Sequence, residues 1–253
     1  MKKKKYIVAN FKANPLTSAE AKKITKGIIV SAKKYSTVST IVCPSVIHLE
    51  SVISTQRIPT VSIGAQDTSV YPLGSHTGEV SLDMLGALGV SYVIVGHSER
   101  RAMGETEQDV SIKLHNALSH KITPIVCIGE LERDKEARYL AFIHDQLIHS
   151  LGDIQKKDLS KIIIAYEPVW AIGSDEAISS GDIYEMVIFI QRIINDAFGA
   201  DAVKKTTILY GGSVDALNAG DILQNGHVDG LLVGRQSLYP KNFGDIIRVA
   251  SES

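Results

Sequence analysis

The strongest constraint on this chain is an alternation. Eight short, apolar, β-rich runs recur along it, near residues 6–9, 38–43, 60–65, 92–95, 122–127, 162–166, 207–210 and 230–233. Each is too short for a lone helix, and many end in Gly, Pro, Asn or Glu, as strands do. Between them lie longer segments whose apolar residues recur at helical spacing, as in 19–32, 110–118, 137–151 and 183–197. Thr17 with Glu20 has the spacing of a capping box, and Asp182 and Asp215 are placed to cap or charge the first turn of a helix. Strand alternating with helix predicts parallel strands covered by helices. Eight units in 253 residues is about 32 residues each, which suits a closed (β/α)8 barrel filling one domain, residues 1–253. An open doubly wound sheet competes at this stage.

Composition excludes more than it names. The formal net charge is −1, so the field of the whole molecule favours neither nucleic acid nor an anionic membrane. The run Lys2 to Lys5 reads as a solvated start. No stretch approaches the length of a membrane helix, and the lysine run leads into too few apolar residues for a secretory signal. Cys43 and Cys127 sit inside apolar runs and read as buried thiols, which places the chain in a reducing cytoplasm. One connection, from Gln66 to Glu79, is long and rich in turn formers; loops of that length tend to be functional or to meet a partner.

In a parallel barrel the chemistry lies at the C-terminal ends of the strands. There the sequence offers Asn10 and Lys12 after the first run, His97, Ser98 and Glu99 after the fourth, and Glu167 after the sixth. Gly211, Gly212 and Ser213 follow the seventh, and Gly234 and Arg235 the eighth. Singly, each is an ordinary loop residue. Together they bring a base, a cation, a neutral donor and a nest of backbone N–H groups to one rim. The glycine pair and Gly234 suit an anion site, and a helix expected to start near Asp215 adds to it. No Gly-x-Gly-x-x-Gly follows the first run, so a dinucleotide fold has no support. From Tyr166 to Gly173 the chain reads as a base followed by a lid: Pro168 stiffens one end, Gly173 frees the other, and Trp170 and Ile172 supply apolar cover. Excluding water there would sharpen the electrostatics of proton transfer.

These stretches resemble the triosephosphate isomerase family. The matching motifs are Asn10-Phe11-Lys12, Thr77-Gly78-Glu79, Gly96-His97-Ser98-Glu99-Arg100-Arg101, Cys127-Ile128-Gly129-Glu130, Tyr166 to Gly173, Tyr210-Gly211-Gly212-Ser213 and Leu232-Val233-Gly234, in family order over nearly the whole chain. The resemblance implies a cofactor-free interconversion of dihydroxyacetone phosphate and D-glyceraldehyde 3-phosphate through an enediolate, without a metal. Glu167 would carry the proton and His97, neutral at a helix start, would polarise the carbonyl. Lys12 and Asn10 would stabilise the developing charge, and Glu99 would pair with Lys12. Ser98 would hold Glu167 while the lid is open. Backbone N–H groups of Gly173, Ser213, Gly234 and Arg235 would hold the phosphate, with Ile172 and Leu232 supporting. The resemblance also implies a homodimer joined through the loop from Gln66 to Glu79, where Thr77 would support Asn10 and Lys12 of a second subunit.

The sequence departs from the family's pattern in places. Phe11 stands where Trp is usual and Ala13 where Met is common. Ser174-Asp175-Glu176 replaces Thr-Gly-Lys in the lid. The stretch Ala102-Met103-Gly104 is one residue shorter than the common spacing, and Arg235 replaces a glycine. These put phosphate affinity and lid motion in question, not the reaction. Two rivals stay open. A Schiff-base, aldolase-like barrel would need a desolvated rim lysine from a later strand, and the clear rim lysine here is Lys12. A non-catalytic barrel scaffold would not need a base. Metal-assisted chemistry has little support, because His115/His120 and His144/His149 are five apart.

Overall fold

Strands β1 (Lys5–Asn10), β2 (Val38–Cys43), β3 (Val61–Ala65), β4 (Tyr92–Val95), β5 (Thr123–Ile128), β6 (Ile163–Tyr166), β7 (Thr207–Tyr210) and β8 (Gly230–Val233) pair in parallel in chain order. β8 then pairs with β1, Tyr6 opposite Gly230 and Ala9 opposite Val233, and the sheet closes. Closure excludes the open doubly wound sheet. The computed structural model describes residues 4–55, 61–172 and 178–253. Lys2, Lys3 and Thr60, and Gly173, Ser174, Asp175 and Glu176 of the expected lid, lie outside the described residues.

The helices cover the outside: α1 (Ser18–Lys34), α2 (Leu49–Ile53), α3 (Leu82–Ala87), α4 (Ser98–Ala102), α5 (Glu107–Ser119), α6 (Arg138–Leu151), α7 (Ser180–Phe198), α8 (Ala200–Lys205), α9 (Ala219–Asn225) and α10 (Pro240–Glu252). Thr17 caps α1 as its sequence predicts, its hydroxyl accepting from Glu20 N while the Glu20 carboxylate accepts from Thr17 N. Ser179 caps α7, with Asp182 in the first turn. The helix expected near Asp215 begins at Ala219 instead. Asp215 Oδ1 accepts from Leu217 N and Asn218 N at 2.8 and 3.0 Å. That local turn competes with the helix and delays it.

Side chains alternate along each strand, so a strand buried on both faces serves two cores. Val8, Ile41, Cys43, Ile94, Ile125, Cys127, Ile163, Ala165, Leu209 and Leu232 pack together as one cluster. The larger cluster joins their strand neighbours, such as Ile7, Ala9, Val42, Val126 and Ile164, to helix residues such as Ile28, Leu114, Leu147 and Ile190. The first is the barrel lumen, the second the shell between sheet and helices. Both cysteines are free and buried, and among the described residues no helix is long and apolar enough to cross a membrane.

Candidate active site

The alternation that fills the lumen also aims the chemistry. Counting in twos from lumen residues, Val8 leads to Asn10, Ala165 to Glu167, Leu209 to Gly211 and Leu232 to Gly234. These positions leave the strand ends on the lumen side and meet at one rim. They line a cavity of about 400 Å³ with Lys12, His97, Ile172, Gly212, Ser213 and Arg235. The volume lies in the range of small-molecule sites.

Glu167 is 2% exposed. Its N–H donates to Ile128 O at 2.8 Å, which continues the β5–β6 ladder one residue beyond the strand. Two glycines make room for it. A Cβ on Gly129 would lie 1.7 Å from Glu167 O, and one on Gly211 would lie 2.7 Å from Glu167 Cγ. The carboxylate Oε2 accepts from the backbone N–H of Ser98 at 3.3 Å, and Oε1 lies 3.3 Å from His97 Nε2. Ser98 therefore holds Glu167 through its main chain. The Cys127 thiol is pushed well up by burial, with the nearby Glu167 carboxylate adding to the shift, so it stays protonated beside Glu167.

His97 is the N-cap of α4, and its Nδ1 accepts from Glu99 N at 3.1 Å. An accepting Nδ1 puts the proton on Nε2, the nitrogen that faces Glu167. The ring is thus a neutral donor aimed into the cavity. Lys12 takes a left-handed backbone, φ 53°, which is unusual for a residue with a long side chain. Asn10 Oδ1 accepts from Lys12 N at 3.0 Å, and Gln66 Nε2 donates to Lys12 O at 3.0 Å and Cys43 O at 2.9 Å. These bonds fix the bend, and Lys12 Nζ meets Glu99 Oε1 at 2.7 Å.

A family profile described as triosephosphate isomerase matches residues 5–250. The triosephosphate isomerase of Francisella philomiragia is 37% identical over 250 residues, covering 98% of both chains. That of Flavobacterium psychrophilum is 37% identical over 245 residues, 96% of this chain and 98% of the relative. That of Roseiflexus castenholzii is 36% identical over 237 residues, 93% of each. The chain belongs to the triosephosphate isomerase family.

In this triosephosphate isomerase family member one cavity is lined by Asn10, Lys12, His97, Glu167, Ile172, Ser213, Leu232, Gly234 and Arg235. Ser98 and Glu99 join it through their contacts with Glu167 and Lys12. Gly173 lies outside the described residues. Thr77 is exposed on the loop from Gln66 to Glu79 and is not among the residues lining this cavity.

Several supporting residues were not singled out for a role in the sequence. The sequence marks Gln66 only as the start of a long loop. Glu130 is 1% exposed, and its Oε1 accepts from Tyr166 OH, Trp170 Nε1 and Arg133 Nε at 2.8, 3.0 and 3.0 Å. Arg133 also reaches Asp182 at 3.2 Å. The segment after Glu167 is therefore tied at Trp170 to the end of β5 and, through Arg133, to the start of α7. Trp170 is 44% exposed, so its indole N–H could as well have met water, and nothing in the sequence marked Glu130 as its acceptor.

Proposed function

We infer that this rim interconverts dihydroxyacetone phosphate and D-glyceraldehyde 3-phosphate by proton transfer through an enediolate. Membership of the family makes triose-phosphate isomerisation the activity, and the geometry supports the mechanism. The observation that carries it is the facing pair of a buried Glu167 carboxylate and a neutral Nε2–H of His97, 3.3 Å apart. No substrate fits within that gap, so a bound triose would displace the contact and lie across both groups, its C–H toward the carboxylate and its carbonyl oxygen toward the Nε2–H. Glu167 takes the proton from one carbon and returns it to the next, while the hydroxyl proton of the first oxygen passes to the second, where His97 Nε2 is placed to relay it. His97, with the Lys12 ammonium and the Asn10 amide, holds the negative charge on oxygen. The backbone N–H groups of Ser213, Gly234 and Arg235 suit the phosphate. The reading requires no cofactor.

Turnover of dihydroxyacetone phosphate in D2O tests this. A proton parked on Glu167 exchanges with solvent, so deuterium should appear at C2 of the aldehyde product. Deuterium in the product rules out a direct hydride shift, and undiminished turnover by Glu167→Gln, which cannot accept the proton, would sink the enediolate mechanism. Borohydride added during turnover should trap no covalent adduct, which separates this chemistry from a Schiff-base aldolase.

We also propose a homodimer in the cytoplasm. Two free, buried thiols suit a reducing compartment. Tyr71 and Leu73 are exposed on the long loop, 51% and 68%, and a second cavity of about 700 Å³ beside Lys12 is lined by Val46, Leu49, Met103 and Lys113. The loop base is anchored, Asp67 meeting Arg100 at 2.9 Å and Lys113 at 2.7 Å. The loop of one copy would fill the cavity of the other, with Thr77 reaching toward its Asn10 and Lys12. Deleting the loop tip should give a monomer by sedimentation with activity reduced more than about tenfold, since a loose Lys12 misplaces the charge it supplies. A wild-type chain that is monomeric and fully active at nanomolar concentration would rule this out.

A further inference from the structure

Among the described residues, the charged side chains that line the active-site cavity are Lys12, Glu167, Asp215 and Arg235. Three of them are committed. Lys12 is paired with Glu99 at 2.7 Å, Glu167 is buried against His97 and Ser98, and Asp215 accepts two backbone N–H bonds in its own turn. Arg235 alone of the four has neither a hydrogen bond nor an ion pair among the described residues.

Its backbone is unstrained. Arg235 opens the short 3-10 turn Arg235–Leu238, and it is absent from the residues with positive φ. The N–H a phosphate would use is therefore kept, and the side chain is exposed at the cavity mouth. The balance of charge there is unfavourable without it. Among the described lining residues, Lys12 alone would stand against Glu167 and Asp215, and an incoming phosphate dianion would meet a lining with an excess of one negative charge. Arg235 cancels that excess.

We propose that Arg235 is a specificity-determining residue that draws the phosphorylated substrate into the rim through its field. It favours trioses bearing a phosphate over the same trioses without one. The inference rests on the triose-phosphate reading of the site. Because the guanidinium is exposed, water and salt screen it, and it acts on capture rather than on the chemical step. A tight, desolvated ligand would behave differently: it would resist salt and demand the guanidinium geometry.

The test compares wild type with Arg235→Gln and Arg235→Lys at ionic strengths from about 0.02 to about 0.5 M. At low ionic strength Arg235→Gln should lower kcat/KM for glyceraldehyde 3-phosphate about fivefold with kcat unchanged. The gap should close at high ionic strength, and Arg235→Lys should retain the wild-type value. Glyceraldehyde, which lacks the phosphate, should be turned over equally by all three. Calorimetry with inorganic phosphate should show the same salt-dependent weakening without relying on turnover. A loss that persists at high salt and is not restored by lysine would make Arg235 a direct ligand and overturn steering. No loss at low salt would make it a bystander. An equal loss with glyceraldehyde would mean that the substitution deforms the rim. A wild type that binds phosphate in this way but isomerises nothing would sink the isomerase reading and leave the steering intact.

Discussion

At the end of β6 the proposed base is packed closely among its neighbours, whereas at the end of β8 the proposed phosphate side is more open. Glu167 touches the Gly211 backbone, His97 and Ser98, and its own carbonyl is pressed against Gly129. After β8, a Cβ on Gly234 would lie 3.2 Å from the flexible Lys12 side chain, and Arg235 is exposed. The difference suits the two tasks proposed for these groups. Proton transfer depends on placement to a fraction of an ångström. Anion binding by several N–H groups and a diffuse positive field tolerates more variation. The departure at position 235 falls in the open half, as this contrast expects.

The largest effect should come from moving the base itself. Glu167→Asp withdraws the carboxylate by about 1 Å and should lower kcat about 10²-fold, with the thermal midpoint nearly unchanged. An unaltered kcat would remove Glu167 from its role. A subtler break leaves the base chemically intact and crowds it. Gly211→Ala places a methyl 2.7 Å from Glu167 Cγ and 3.2 Å from its Oε1. The Glu167 side chain must move by roughly 0.7 Å to restore ordinary contact, and kcat should fall at least about tenfold with a smaller change in KM. If KM rose tenfold and kcat held, Gly211 would belong to the phosphate half and the contrast between the halves would fail.

Legibility in the sequence divides along the same line. The strands were readable because a parallel barrel buries both faces of each strand, which leaves unbroken apolar runs in the chain. β5 begins at Thr123 where the run suggested residue 122, a boundary that apolarity alone does not mark. Glu167 and His97 stood out as polar residues ending apolar runs, and the family's motifs supplied their roles. What the sequence concealed depends on close approach between strands distant in the chain. Gly129 and Gly211 are needed because Glu167 passes against them. Gln66 matters because the Lys12 bend has a carbonyl within its reach. The delayed start of α9 was hidden because Asp215 has two local options, a cap or a turn, and propensity does not choose between them.

The smallest expected effect lies at the joint between the halves. Ser237 is fully buried, and its hydroxyl donates to Gly234 O at 2.6 Å and lies 3.2 Å from Asn10 O. One proton cannot serve both carbonyls fully, so the shorter bond within the turn takes most of it. Ser237→Ala removes a neutral hydrogen bond without adding bulk or charge. The cost should be about 1 kcal/mol of stability, a drop in thermal midpoint of roughly 2–4 °C. Losing that bond loosens the Arg235–Leu238 turn while Glu167 and His97 keep their contacts. KM should therefore rise by less than about threefold, because even the full hydrogen-bond energy, if it appeared entirely in substrate binding, would change affinity only about fivefold. Turnover should not move. A tenfold fall in kcat would mean that the Asn10 contact carries the turn's position into the charge-stabilising groups, and that the two halves of the rim are one mechanical unit.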